Sequence, residues 1–172
     1  VTPGYLDRRY DEGLFTKDGW IKNGDLGRFD ADGYLWLTGR AKDVIIRGGH
    51  NIDPAWIEEP LLQSPEVLLC EAVGKPDAYA GEVPVAYVTL RPGACATDEE
   101  LLVFAKANIS EPPALPRQLF VLDQLPMTAV GKVYKPALRQ DCTRRHFLEV
   151  LQGESIAALA VRDEHGGQIV CI

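Results

Sequence analysis

The 172-residue sequence has no apolar run near the roughly 18 residues that a membrane-spanning helix needs. Its amino terminus lacks a basic segment leading into an apolar one, so no signal peptide is expected either. It also lacks a basic block: 18 Lys and Arg are scattered among 25 Asp and Glu, and the formal net charge of −7 opposes contact with a phosphate backbone. Nucleic acid is therefore not an expected partner. The four cysteines, Cys70, Cys95, Cys142 and Cys171, form no Cys-x-x-Cys pair and have no nearby His to complete a zinc set. They read as reduced, mostly buried thiols, and no metal site is expected. Together these absences lead to the expectation of a soluble, cytoplasmic protein with no transmembrane segment.

With 46% hydrophobic and 25% charged residues, the chain is long enough for one ordinary core and too short for two large domains. Asn23-Gly24 and Asp30-Ala31-Asp32-Gly33 supply the positive φ that tight turns need, and they divide 20–22, 26–29 and 34–37 into a small antiparallel unit. Val44-Ile45-Ile46 is expected to pair with the segment after Gly48-Gly49. Asp53 as N-cap and Pro54 at the first helical position start a helix with Ile57 and Leu61 on one face, which Pro60 should kink or shorten. Segments 67–73 and 83–90 read as strands of a covered sheet, separated by a turn at Gly74-Lys75-Pro76-Asp77 and a loop through Gly81.

Thr97-x-x-Glu100 is a capping box ahead of Leu101, Ala105 and Ile109, which predicts a helix over 98–109. A Pro-rich loop at 112–116 leads to a strand over 118–122, and Pro136 opens a last helix carrying Leu138, Arg139 and Arg144. Beyond about residue 147, segments 155–161 and 168–172 around His165-Gly166-Gly167 resemble a hairpin that ends while still apolar. With the missing initiator Met, this leads to the expectation of a longer parent chain. The order β, α, β, β, α, β, α with short antiparallel turns predicts an α+β domain.

Two tempting motifs fail on inspection. Asp30-x-Asp32-Gly33 begins like a calcium loop, but Tyr34, Leu35 and Ala41 stand where an oxygen ligand, the turn glycine and the final carboxylate belong. Gly131-Lys132 ends like a nucleotide P-loop, but Pro126 replaces the first glycine and Val133 the hydroxyl residue. What remains is a pair of stretches in a fixed order. The first is Gly39-Arg40-Ala41-Lys42-Asp43-Val44-Ile45-Ile46-Arg47-Gly48-Gly49-His50-Asn51-Ile52; the second is Pro126-Met127-Thr128-Ala129-Val130-Gly131-Lys132.

In this order they resemble the late motifs of the AMP-forming acyl-CoA synthetases, adenylate-forming enzymes that activate a carboxylate with ATP and pass the acyl group to a thiol. The resemblance covers nearly all of residues 4–140. It implies that 1–40 are a β-rich end of the large amino-terminal AMP-binding domain and that 41–140 are the small mobile carboxyl-terminal domain. Residues 141–172 become an extension without an interpretable motif. The phosphate loop and acyl pocket would belong to a missing amino-terminal domain of the same chain, the fragment's main partner.

By the same resemblance Asp25, in Asn23-Gly24-Asp25 where the family usually has Thr-Gly-Asp, accepts hydrogen bonds from the two ribose hydroxyls. Taken alone, it reads as a turn aspartate. Arg40 contacts the nucleotide, and Lys42 is the hinge about which the small domain swings, although alone it reads as a strand-end lysine. Gly48-Gly49 makes a turn, and Gly49 lines the passage for the pantetheine arm; Arg47 and His50 flank it as candidates for the coenzyme A phosphates. Lys132 is the catalytic lysine, whose ammonium counters charge developing as a carboxylate attacks the α-phosphate. Its setting also resembles a reversible acetylation site, where loss of the charge would silence the enzyme.

The implied full-length reaction uses ATP, Mg²⁺ and coenzyme A on a carboxylic acid, with a fatty acid the expected substrate. The fragment alone should be inactive and bind none of these cofactors tightly. Two alternatives stay open: an adenylation domain that loads a carrier protein, and a noncatalytic interaction module that keeps the scaffold. The segment around Ser155 also faintly resembles a phosphopantetheine attachment sequence, although the usual Gly-Gly-Asp-Ser is altered.

Overall fold

Of the three glycine-containing turns expected in the first third of the chain, those at 30–33 and 48–49 close hairpins in the computed structural model, which describes residues 2–151, 160–164 and 167–171, and the one at Asn23-Gly24 does not. The chain divides into two units, Val1–Asp43 and Val44–Ile172.

In the first unit, β1 (Asp25–Phe29) and β2 (Leu35–Arg40) pair antiparallel with Asp25 opposite Arg40. Asp30 closes the turn: its carboxylate accepts from Trp36 Nε1 at 2.7 Å, from the Tyr34 amide at 2.9 Å and from the Asp32 amide at 3.0 Å. These hydrogen bonds, the indole's foremost, hold the Asp30 carboxyl below its usual range. Residues 20–22 do not form the expected strand. Thr16 captures both the amide and the carbonyl of Trp20, so the chain curls into a local turn and only Ile21 bridges, to Phe15. No described residue of this unit is buried, and Phe29 and Leu37 are each 72% exposed.

The second unit is built on a sheet of β3 (Ile45–Arg47), β4 (His50–Ile52), β5 (Val67–Asp77), β6 (Gly81–Leu90) and β7 (Gln118–Val121). The path runs β4-β3-β6-β5, and β7 lies parallel beside β6, with Val85 opposite Gln118 and Val88 opposite Val121. Because side chains alternate across a strand, β6 buries Ala86 and Val88 on one face and Val85 and Tyr87 on the other. The first face packs against α1 (Ala55–Leu62) and α2 (Asp98–Asn108), through Ile57, Leu61, Leu101 and Ala105. The second packs against α3 (Lys135–Val150), through Leu138 and Cys142. Full burial of Ile57 and Leu61 stabilises the unit by about 1.5–3 kcal/mol each.

The start of α1 is set by Asp53, whose Oδ1 accepts from the Ala55 amide, and the helix ends two residues past Pro60. The turn expected at 74–77 is displaced. Gly74, Lys75, Pro76 and Asp77 continue the ladder opposite Pro84, Val83, Glu82 and Gly81. Asp77 is a turn signal, but for the residues after it: its Oδ1 accepts from the Tyr79 and Ala80 amides, so Ala78, Tyr79 and Ala80 reverse the chain. Pro76 is tolerated because β5 is an edge strand.

Among the described residues the thiols are mostly buried, as expected: Cys70 and Cys142 are buried, and Cys95, in the loop before α2, is exposed. In the tail, β8 (Ala160–Glu164) and β9 (Gly167–Cys171) form the expected hairpin. Ser155 lies outside the described residues. No helix among the described residues is long and apolar enough to cross a membrane.

Candidate functional site

Lys132 ends a small self-closed loop. The Tyr134 amide donates to the Pro126 carbonyl at 2.7 Å, Met127 bridges Val133, and the Thr128 amide donates to the Lys132 carbonyl at 2.7 Å. Inside it the Gly131 amide returns to the Thr128 carbonyl at 2.9 Å, and Gly131 has φ +75°. This is a three-residue hairpin loop closed by a left-handed residue, a position that glycine takes without strain. Thr128 Oγ1 accepts the Lys132 amide at 3.1 Å. The backbone of Lys132 is thereby fixed while its side chain stands exposed, an arrangement suited to reaching an anionic partner.

Asp25 and Arg40 meet across the first hairpin, Arg40 Nε lying 3.2 Å from Asp25 Oδ1. Asn23 supports the same carboxylate: its Nδ2 donates to Oδ2 at 2.9 Å, and its Oδ1 accepts the Asp25 amide at 2.9 Å. Lys42 occupies a single exposed 3₁₀ turn, Ala41–Asp43, immediately before the second unit begins at Val44.

Gly48 and Gly49 join β3 to β4 with φ of +55° and +85°, as a two-residue type I′ turn demands at both central positions. A Cβ added at either meets no atom within 4 Å, so backbone conformation explains these glycines within this unit. Arg47 donates from Nη1 to the Pro113 carbonyl at 2.8 Å, which commits part of its guanidinium to the fold, while His50 is exposed.

One charged cluster escaped the reading of the sequence. The Lys135 ammonium lies 2.9 Å from both Glu58 Oε1 and Glu71 Oε2, and the three side chains are 19–20% exposed. Burial pushes the Glu71 carboxyl up. Burial also opposes the charge on Lys135, but Glu58 and Glu71 outweigh it and raise that pKa. Burial, with Glu58 and Glu71, lifts the neighbouring Cys70 thiol well above its ordinary value, so it is not a reactive thiolate. Glu58 and Lys135 are 77 positions apart, and no local spacing announces such a pair.

Among the described residues, no group of three or more His, Cys, Asp or Glu is arranged to hold a metal ion. The Asp25 oxygens face Arg40 and Asn23 rather than other carboxylates, so these residues do not form a Mg²⁺ site.

Residues 56–132 match the AMP-binding enzyme C-terminal domain. Over that span the chain carries this family's carboxyl-terminal domain. It is 52% identical over 152 residues to marinolic acid–CoA ligase of Pseudoalteromonas sp. (strain SANK 73390), covering 88% of this chain and 23% of that protein. It is 36% identical to a long-chain-fatty-acid–CoA ligase of Bacillus subtilis (strain 168), covering 87% and 26%. The structure is similar to ATP-bound MatB from Rhodopseudomonas palustris, with a TM-score of 0.75 and 32% identity over 82% of this chain and 28% of that one. The chain thus spans about a quarter of the length of these relatives. Its mixed α and β unit is the small domain of the adenylate-forming enzymes.

Proposed function

We propose that this chain is the carboxyl-terminal part of an acyl-CoA synthetase that converts a carboxylic acid and ATP to acyl-AMP and pyrophosphate, then exchanges AMP for coenzyme A. The observation that carries the reading is the Lys132 loop, whose hydrogen bonds fix the backbone and leave one ammonium projecting from a unit that the family match identifies. In the first half-reaction a carboxylate oxygen attacks the α-phosphorus and pyrophosphate leaves. Lys132 stabilises the charge that builds on the bridging and nonbridging oxygens, and an ammonium aimed at developing charge lowers the barrier more than it stabilises the reactants.

Asp25 accepts from the ribose hydroxyls, with Arg40 beside it to meet the nucleotide. Lys42, between the two units, is the pivot that carries Lys132 away and brings the Gly48-Gly49 turn to the acyl-adenylate for thiol attack. The names of the relatives favour coenzyme A over a carrier protein as acceptor. A fatty acid is the proposed substrate, supported by the relative named for long-chain fatty acids. Mg²⁺ enters with the ATP phosphates and is assigned no ligand among these residues. The exposed apolar hairpin β1–β2 suits cover by the remainder of a longer enzyme, which would hold the phosphate loop and acyl pocket and work in the cytoplasm.

The test is the Lys132→Ala variant of the complete enzyme, assayed in two halves. Pyrophosphate release from carboxylate and ATP should fall about 100- to 1000-fold, the scale for losing one transition-state donor. Thioester formation from supplied acyl-AMP should change little. Equal loss in both halves would overturn the assignment.

A further inference from the structure

The proposed chemistry makes no use of Lys135, yet its position is expensive. It is the first residue of α3, where the positive end of the helix dipole disfavours a cation, and it is largely withdrawn from water. Among the described residues, the carboxylates of Glu58 and Glu71 compensate. Glu58 comes from α1 and Glu71 from β5, and Glu58 Oε1 also accepts the Ala72 amide at 2.9 Å. Helix α1, strand β5 and the start of α3 are therefore joined at one ammonium group.

That ammonium stands three residues beyond Lys132. The loop from Pro126 to Tyr134 bonds to itself, so its internal shape is fixed locally, but its direction on the unit depends on how its two ends are mounted. Before it, Leu125 is 3% exposed in the core; after it comes Lys135. Helix α1 begins three residues after β4, so the carboxylate of Glu58 also links this mount to the Gly48-Gly49 hairpin. We infer that Lys135, clamped by Glu58 and Glu71, is a positioning residue that sets the reach of the Lys132 loop for adenylate formation.

This inference rests on the proposed role of Lys132, and its test separates the two. In the complete enzyme, Lys135→Met keeps the stem and removes the charge, Lys135→Arg keeps the charge, and Lys132→Ala serves as reference. Each is measured for single-turnover pyrophosphate release, thioester formation from supplied acyl-AMP, KM for ATP and melting temperature. Misplacing a catalytic group by about 1 Å costs roughly 100-fold, so Lys135→Met should slow adenylation about 10- to 100-fold, through kcat rather than KM. Thioester formation should stay within about threefold, because that step does not ask the loop to reach the α-phosphate, and Lys135→Arg, which keeps the charge, should recover most of the lost adenylation rate.

Parallel loss in both halves, or wild-type adenylation in Lys135→Met, would overturn the positioning role while leaving Lys132 intact. If Lys135→Met does not fold, Glu71→Gln, which leaves the Glu58–Lys135 pair, is read the same way. A loss of about 3- to 10-fold confined to adenylation is then expected, and a parallel loss or none overturns the inference. If Lys132→Ala itself shows no selectivity for adenylation, the underlying reading fails first.

Discussion

Asp25 shows how one substitution within a motif can change the support of a group without removing it. Where the family has Thr, Asn23 supplies an amide that binds both the backbone and the carboxylate of Asp25, and Arg40 steadies the other oxygen. Each carboxylate oxygen keeps a further lone pair, so the group retains capacity for a vicinal diol. In the complete enzyme Asp25→Asn should raise KM for ATP roughly 10- to 100-fold, because hydrogen bonds to a charged acceptor are worth about 1.5–3 kcal/mol. Steady-state kinetics with varied ATP check this; an unchanged KM would return Asp25 to a turn role. Asp25, Arg40 and Lys132 could be proposed from the sequence because each follows a glycine in a short motif. Glu58, Glu71 and Lys135 were not, because only the packing of α1, β5 and α3 brings them together.

At the level of elements, local rules succeeded where the signal was complete within a few residues. The Thr97 capping box forms as written: Thr97 Oγ1 accepts the Glu100 amide, and Glu100 Oε2 accepts the Thr97 amide at 2.8 Å. Thr97→Ala should destabilise the unit by about 1 kcal/mol, lowering the melting temperature by roughly 3–5 °C in calorimetry. No shift would mean that the helix is held by tertiary packing alone. The boundary of β5 was misread because Gly74 and Pro76 are turn-forming residues by composition, whereas pairing with β6 overrides that preference. The parallel addition of β7 beside β6 was also hidden, since it depends on a crossover through α2 rather than on a turn.

Across the second unit, α3 is held at both ends by ions, at its start by Lys135 and near its end by Glu149. Glu149 Oε2 accepts from Lys75 Nζ at 2.6 Å, and its other oxygen accepts from Gln118 Nε2 at 3.2 Å. The Lys75 side chain is only 7% exposed, while that of Glu149 is 46% exposed, so the pair lies at the boundary of the interior. Hydrogen bonding from Lys75 holds the Glu149 carboxyl below its usual range. A depressed folded pKa contributes stability above the unfolded value of about 4.3, and that contribution is lost as pH falls through the folded value. Glu149→Gln should therefore cost about 1–2 kcal/mol at pH 7, less than the roughly 3–5 for a fully buried pair because water reaches Glu149. Urea titrations at pH 7, 5 and 3.5 should show the difference from wild type shrinking only below about pH 4.3; a constant difference would locate the loss in packing.

The central position of β6 has a consequence for the nascent chain. Its antiparallel partner β5 precedes it across a three-residue reversal at Ala78, Tyr79 and Ala80, so that edge can pair as soon as both strands emerge from the ribosome. The opposite edge, along Val85 to Val88, waits for β7, which arrives only after α2 and the Pro-rich loop have been synthesised. Ordering that long crossover must precede its reward, so completion of the sheet is the slow step. Until then a row of backbone donors and acceptors beside apolar side chains stands open, and in that interval the growing polypeptide is most exposed to pairing with a neighbour instead of with itself.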